Sequence, residues 1–263
     1  VSDDHPSYVI AALDKGLFLL SYLADNPNSG VSEIASKTGS TKSQIFRLLY
    51  TLERRGFVHK DPGTRNYFLG ATCLFLGERA RAQSSLVTVA EATMERLVSE
   101  TGENVHLVVR ENAKSVVVAL KESQQPLRLY AEVGREGPLH AGGSSMVLLA
   151  HAPSHIVEAI LEHPLEAFTA HTETRTDAVR RTLAQIRSSG YHVALEDLDE
   201  GAFSIAAPVR DHAGAVVAAL SIAGPVARLD PATQRRHVER VMRAAGEISR
   251  GLGAPEPERA LNR

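Results

Sequence analysis

The hydrophobic period of this chain changes once, near Glu103, and that change restricts the folds open to it. Before it, apolar residues recur at three- and four-residue spacing, as in helices that bury one stripe. After it, NVHLVVRENAKSVVVALKE runs in β-branched residues broken at Glu111-Asn112-Ala113-Lys114, as in a hairpin of strands. A chain of 263 residues with both regimes is read as α+β, with two domains as the natural division.

In the first regime, Ile10, Leu13, Leu17 and Leu20 mark a helix that stops at the breaker run Asp25-Asn26-Pro27-Asn28-Ser29-Gly30. Ser32 is expected to cap a short second helix that leaves through a left-handed Gly39, and Ser40 to cap a third. On that third helix Ile45, Leu48, Leu49 and Leu52 fall at i, i+3, i+4 and i+7 and form one inward stripe. FVHKDPGTRNYFL then reads as two strands around Asp61-Pro62-Gly63-Thr64, with Gly63 supplying the positive φ of a type II turn. Residues 8–70 therefore predict a winged helix-turn-helix. Residues 71–101 predict a helical linker bent near Gln83-Ser84-Ser85, with an apolar stripe of Leu86, Val89, Ala90, Leu97 and Val98.

In the second regime, residues 102–252 predict a sheet domain: the hairpin, an extended LRLYAEV, and helices at Ser145–Ala150, Ser154–Leu161 and Asp177–Ser189. Strands return at YHVALE, FSIAAPVR and AVVAALSIAG. Asp230-Pro231 starts a last amphipathic helix running to about Arg250. Residues 253–263, ending GAPEPERALNR, are expected to be disordered.

No run approaches the roughly 18 apolar residues of a membrane span, and the acidic start VSDDHPSYVI does not resemble a secretory signal. A soluble, cytoplasmic protein without membrane association is expected. The single cysteine, Cys73, lies among apolar residues and is expected to pack. The net charge of −2 conceals an asymmetry. Residues 36–66 hold Lys37, Lys42, Arg47, Arg54, Arg55, Lys60 and Arg65 against Glu53 and Asp61, a net +5, whereas residues 86–263 are net −4.

With Ile45 and Leu49 turned inward, a rotation of 100° per residue puts Ser43, Arg47, Tyr50 and Arg54 on the outward face of the third helix. Lys42 and Gln44 flank it, and Ser40 and Thr41 precede it. Arg can bond guanine bidentately and Gln adenine, while Ser, Lys and a helix N-terminus hold phosphate. Lys60 and Arg65 of the wing would add backbone or minor-groove contacts. A helix-turn-helix pattern is also compatible with an ordinary packing unit that has a polar outside, so both readings stand at this point.

A resemblance adds weight to the first. VSEIASKTGSTKSQIFRLLYTLERRGFV and the wing ending YFLG resemble the DNA-binding half of the IclR-type bacterial transcription regulators. LVSETGENVHLVV, LRLYAEVGREGPLHAGGSSMVLLA and GYHVALEDLDEGAFSIAAPVRDHAGAVVAALSIAGP resemble that family's sensor half, in the same order. The likeness covers residues from about 9 to 252. It implies a dimerising linker, a GAF-like α/β sensor with a curved antiparallel sheet, dimers or pairs of dimers, and palindromic double-stranded operator DNA. It also implies a small-molecule effector.

In family members the sensor pocket is lined by segments that correspond here to His140-Ala141-Gly142-Gly143-Ser144, Ala194 to Asp197, Gly201 to Pro208, and Ser221 to Pro225. Effector contacts are thus expected from Gly142, Gly143, Ser144, Ala194, Ser204, Ser221 and Ala223, with Gly143 and Ser144 offering amides to an anion. Three positions depart from the family: Ser204 stands where cysteine is frequent, Ala194 where some members are acidic, and Ala223 where a second serine is usual. Fewer fixed polar groups favour an effector with a carboxylate or amide head and an apolar or aromatic body. His140 is as consistent with packing as with ligand contact.

Two other classes of function make different demands on the sequence. An enzyme is disfavoured because His151 and His155 enclose Pro153 and lack an HExxH glutamate. Gly143-Ser144-Ser145 is not a GxSxG elbow, and no P-loop or GxGxxG occurs. No catalytic residues, metal or cofactor are therefore expected. A partner-binding wing that does not read DNA is distinguished by lacking the steep salt dependence that phosphate neutralisation requires.

Overall fold

The computed structural model describes residues 9–83 and 85–255, with side chains described for those residues outside 80–85. Two compact units divide between Gln83 and Ser84. The expected linker is therefore two helices, one in each unit, and its predicted bend includes Ser84, which lies outside the described residues. Residues 256–263 of the expected disordered tail also lie outside them.

The first unit holds α1 (Ala11–Asp25), α2 (Val31–Thr38), α3 (Lys42–Arg54), β1 (Val58–Lys60), β2 (Tyr67–Leu69) and α4 (Ala71–Gln83). Its core is Leu19 and Leu23 from α1, Ile34 and Ala35 from α2, Ile45 and Leu49 from α3, and Val58 and Tyr67 from the wing. Helix α1 forms as expected, but Ile10, Leu13 and Leu17 are exposed and Gly16, Leu19 and Leu23 are buried.

Three local expectations are corrected. Helix α2 begins at Val31 with Gly30 as its cap and no side-chain cap, so Ser32 does not cap it. The entry is fixed instead by pairing to the wing: the Tyr67 amide donates to the Ser29 carbonyl at 3.0 Å. Thr41, not Ser40, caps α3, accepting from the Gln44 amide at 3.2 Å. The Ser40 amide is already engaged in closing α2, donating to the Ala35 carbonyl beyond the left-handed Gly39. The wing turn does not place Gly63 at positive φ; that conformation falls on Arg65. The cause is Asp61, whose carboxylate accepts from the Gly63 and Thr64 amides and the Thr64 hydroxyl and so sets the turn itself.

The second unit comprises α5 (Ser85–Thr101), β3 (Asn104–Glu111), β4 (Lys114–Lys121), β5 (Glu136–Gly137), α6 (Gly143–Ala150), α7 (Ser154–Leu161), α8 (Thr176–Ser189), β6 (His192–Leu195), β7 (Ala202–Arg210), β8 (Val216–Pro225) and α9 (Pro231–Gly251). Its six strands run antiparallel in the order β5-β4-β3-β8-β7-β6. Both sheet faces are covered, which is why β8 reads as a continuous apolar run. Phe203, Ile205, Ala207 and Val209 of β7 pack with α5 and α9, whereas Ala206 shares a core with α6, α7 and α8. Asp230 caps α9 with Pro231 in its first turn, as its sequence predicts.

The stretch LRLYAEV is not a strand of this sheet; only Glu136 and Gly137 pair with β4, opposite Val116 and Ser115. Gly134 and Arg135 exchange backbone bonds with Val117, and the residues before them are held by side chains. Asn104 Nδ2 donates to the Leu129 carbonyl at 2.8 Å, and Arg228 Nη1 to that of Leu127 at 3.0 Å.

Candidate functional site

In the first unit the burial of Ile45 and Leu49 leaves Ser43, Arg47, Tyr50 and Arg54 exposed together on the outward face of α3. Lys42 and Thr41 are exposed at its start, while Gln44 and Ser40 are half-buried. Tyr50 stacks on the exposed Phe46, ring centroids 6.4 Å apart. On the wing, Arg65 is exposed in the left-handed conformation, and Lys60 Nζ lies 5.5 Å from the Tyr67 ring centroid. The wing is seated by Gly70, where a Cβ would come within 2.2 Å of the Gly56 carbonyl oxygen. Cys73 packs as expected, its thiol donating to the Phe57 carbonyl at 3.3 Å, and burial pushes that thiol upward in pKa.

Sequence reasoning missed Lys15. Exposed on α1, it borders the same depression as Thr41, Ser43, Gln44 and Arg47. Its helical position gave no cue, because the crossing of α1 over the start of α3 is a tertiary fact.

In the second unit a cavity of about 320 Å³ opens between the sheet and the first turn of α6. Gly142, Gly143, Ser144, Ser204, Ser221 and Ala223 line it; Ala194 does not. Ala194, Ser204 and Ala223 are paired across three strands, so their side chains share one face, but Ala194 sits on the edge strand with only a methyl group. Gly143 brings α6 against β7: a Cβ there would lie 2.9 Å from the Ser204 carbonyl oxygen. Gly142 has a φ of 86°. Its amide donates to Asp197 Oδ2 at 2.9 Å, which takes that donor out of use, whereas the following first-turn amides have no intrahelical partners because no turn precedes them. Beneath them the Ser144 hydroxyl donates to Ser221 at 2.8 Å, and Ser145 donates to Ser115 at 2.9 Å.

Apolar walls come from Val108, Val117, Leu129, Phe168 and Leu198. Arg135 stands at the mouth, donating to the Tyr130 carbonyl at 3.2 Å and to Asp199 at 3.4 Å, and so ties residues 129–135 to the β6–β7 loop. His106 lines the cavity from β3. Burial, with Arg135 nearby, pushes its pKa down to about 4. His140 does not line the cavity; its ring packs on Phe168 and its Nε2 lies 2.9 Å from the Glu166 carbonyl. His106 and Arg135 were not anticipated, although the two-residue period of NVHLVV places His106 and Val108 on one face.

Among the described residues no group of His, Cys, Asp and Glu is arranged to hold a metal ion, and no helix is long and apolar enough to cross a membrane.

Residues 12–62 match the IclR helix-turn-helix domain family, and residues 79–250 match the bacterial transcriptional regulator IclR C-terminal family. The chain is 33% identical over 244 residues to the HTH-type transcriptional regulator BhcR of Paracoccus denitrificans, spanning 92% of this chain and 88% of that one. Its fold is similar to an IclR transcriptional regulator from Alicyclobacillus acidocaldarius, with a TM-score of 0.86 at 26% identity over 94% of this chain and all of that one. It is also similar to an IclR homologue from Microbacterium hydrocarbonoxydans crystallised with 4-hydroxybenzoate, with a TM-score of 0.75 at 27% identity, covering 85% and 91% of the two chains. These relatives are regulators rather than enzymes, and the matches to both units show that this chain belongs to the IclR family of bacterial transcriptional regulators.

Proposed function

We propose that this regulator reads one half of an inverted-repeat operator with α3 and its wing, as a homodimer or pair of dimers, under the control of a small organic acid bound in the sensor cavity. The observation that carries the DNA assignment is the shared exposure of Ser43, Arg47, Tyr50 and Arg54 opposite buried Ile45 and Leu49. Arg47, with Gln44 beside it, is assigned to base edges. Ser40, Thr41, Lys42, Ser43, Arg54, Lys60 and Arg65 are assigned to phosphates or the minor groove, and Tyr50 to either. Lys15 joins them at the start of α3.

Self-association is supported by exposed apolar residues: Ile10 at the start of α1, Leu13, Leu17 and Phe18 on it, and Leu74 and Phe75 on α4. The segment 71–101 is assigned to linkage and dimerisation. DNA as the partner supports a cytoplasmic location.

The effector reading rests on first-turn amides of α6 above Ser144 and Ser221, facing apolar walls. A carboxylate at the amides and an aromatic or aliphatic body against Val108, Val117 and Phe168 fits that distribution. Complex formation with 4-hydroxybenzoate in the Microbacterium homologue supports it. An effector controls the operator only by preferring one of two arrangements of the dimer; equal affinity for both changes nothing.

Selection of bound sequences from a random duplex pool at two salt concentrations tests the DNA assignment. An inverted repeat whose affinity falls steeply with salt is expected. Recovery of no preferred sequence at either salt overturns it.

A further inference from the structure

We propose that the His106 imidazole is a second anchor for the effector, hydrogen-bonding an uncharged polar group of the ligand, such as a hydroxyl, carbonyl or amide, beside the carboxylate at α6. The proposal rests on the reading of this cavity as the effector site.

His106 lines the cavity and is paired across the sheet with Ser221, whose hydroxyl accepts from Ser144 in the first turn of α6. Directly paired residues on antiparallel strands have Cβ atoms about 5 Å apart, so the imidazole and the α6 amides fall within the span of one small molecule. Neither nitrogen of the ring bonds to another described residue; Nε2 is closed off even from water, so Nδ1 is the nitrogen left open to a ligand. Buried polar groups are nearly always hydrogen-bonded, so one left open beside a ligand cavity is accounted for when the ligand supplies the bond. His151 and His237 also carry a buried nitrogen without a partner, but neither lines this cavity.

The charge of the ring selects the chemistry. With burial and Arg135 both opposing protonation, His106 is neutral at physiological pH and offers one donor and one acceptor. It therefore suits an uncharged polar group and gives a second carboxylate no cation to pair with. The effector class is narrowed from organic acids in general to acids that also carry a hydroxyl, oxo or amide group.

The test is calorimetric titration of the full chain with matched sets: benzoate against 3- and 4-hydroxybenzoate, and butyrate against 2-oxobutyrate and 2-hydroxybutyrate. The wild type is expected to prefer at least one substituted acid over its parent by on the order of tenfold. His106→Phe should remove that preference while still binding the parent, and His106→Gln should retain part of it. The ring 15N resonances of His106 in the wild type should move with the preferred acid and not with its parent, a readout independent of how the variants fold. Binding of both members of each set without discrimination, or an unmoved ring resonance, overturns the role of His106 alone. Failure of every acid to bind overturns the carboxylate reading of the cavity, and this proposal with it.

Discussion

Two glycines inside helices of the second unit should answer the same substitution with opposite signs. At Gly143, a Cβ would stand 2.6 Å from Ser204 Oγ, 3.0 Å from its Cβ and 2.9 Å from its carbonyl oxygen, against an ordinary contact of 3.4–4 Å. The hydroxyl can rotate away, but the carbonyl belongs to the ladder between β7 and β6 and cannot. The start of α6 must therefore retreat by about half an ångström, the difference between those contacts, and the 2.8 Å bond from Ser144 to Ser221 must stretch with it. Overpacking of this kind costs about 1–3 kcal/mol. At Gly246 in α9, the nearest atom to a Cβ is the tip of Arg250 at 3.6 Å, so alanine meets ordinary contact. There it gains helix propensity and loses unfolded-state entropy, for about 0.4–1 kcal/mol of added stability. Thermal unfolding of the full chain followed by circular dichroism, at roughly 2–4 °C per kcal/mol for a unit of this size, should show Gly143→Ala falling and Gly246→Ala rising. Gly143→Ala should also weaken carboxylate binding, because the amides move with the helix. A Gly143→Ala protein as stable as the wild type would refute the close seating of α6 on β7.

Arg47→Ala should cost roughly 1–3 kcal/mol on the selected operator and relax preference at one base position. Arg65→Ala should weaken all sequences alike and reduce the salt slope by about one; gel-shift titration on matched and mismatched duplexes separates the two. Arg228→Leu should destabilise the protein by about 2–4 kcal/mol, because it strands the buried Glu103 carboxylate that now receives two guanidinium bonds. Adding Glu103→Leu should recover much of that loss in urea denaturation. His106, His151 and His237 all have pKa values pushed down to about 4, mainly by burial. The unfolded chain therefore binds more protons than the native one below the ordinary histidine value, and stability should fall as pH is lowered from about 6.5 toward 4. Replacing His237 with Gln should make that fall shallower in the same denaturation assay.

Much of the site was legible for a local reason. Helical periodicity depends only on residues a few positions apart, so the stripe of Ile45, Leu48, Leu49 and Leu52 already fixed which face of α3 looks outward. The pocket residues were reached differently. Gly142, Gly143, Ser144, Ser204, Ser221 and Ala223 entered through resemblance to a family, since nothing in their spacing brings the start of a helix to the middle of two strands. The two cap misreadings share one cause. Ser32 and Ser40 are sound caps on local grounds, yet the Tyr67–Ser29 pairing starts α2 two residues earlier, and closure of α2 occupies the Ser40 amide.

The sequence alone therefore determined element type, the left-handed exit at Gly39, the α9 cap and the outward face of the recognition helix, all set within a turn or two of chain. Only the tertiary structure decided which stripe of α1 is buried, which side chains reach the cavity, and that His106 faces it beside Ser221. These depend on strand register and on segments over a hundred residues apart. In such a sheet a shift of one residue turns every side chain to the other face, so membership of the site is settled by packing of the whole domain rather than by any local pattern.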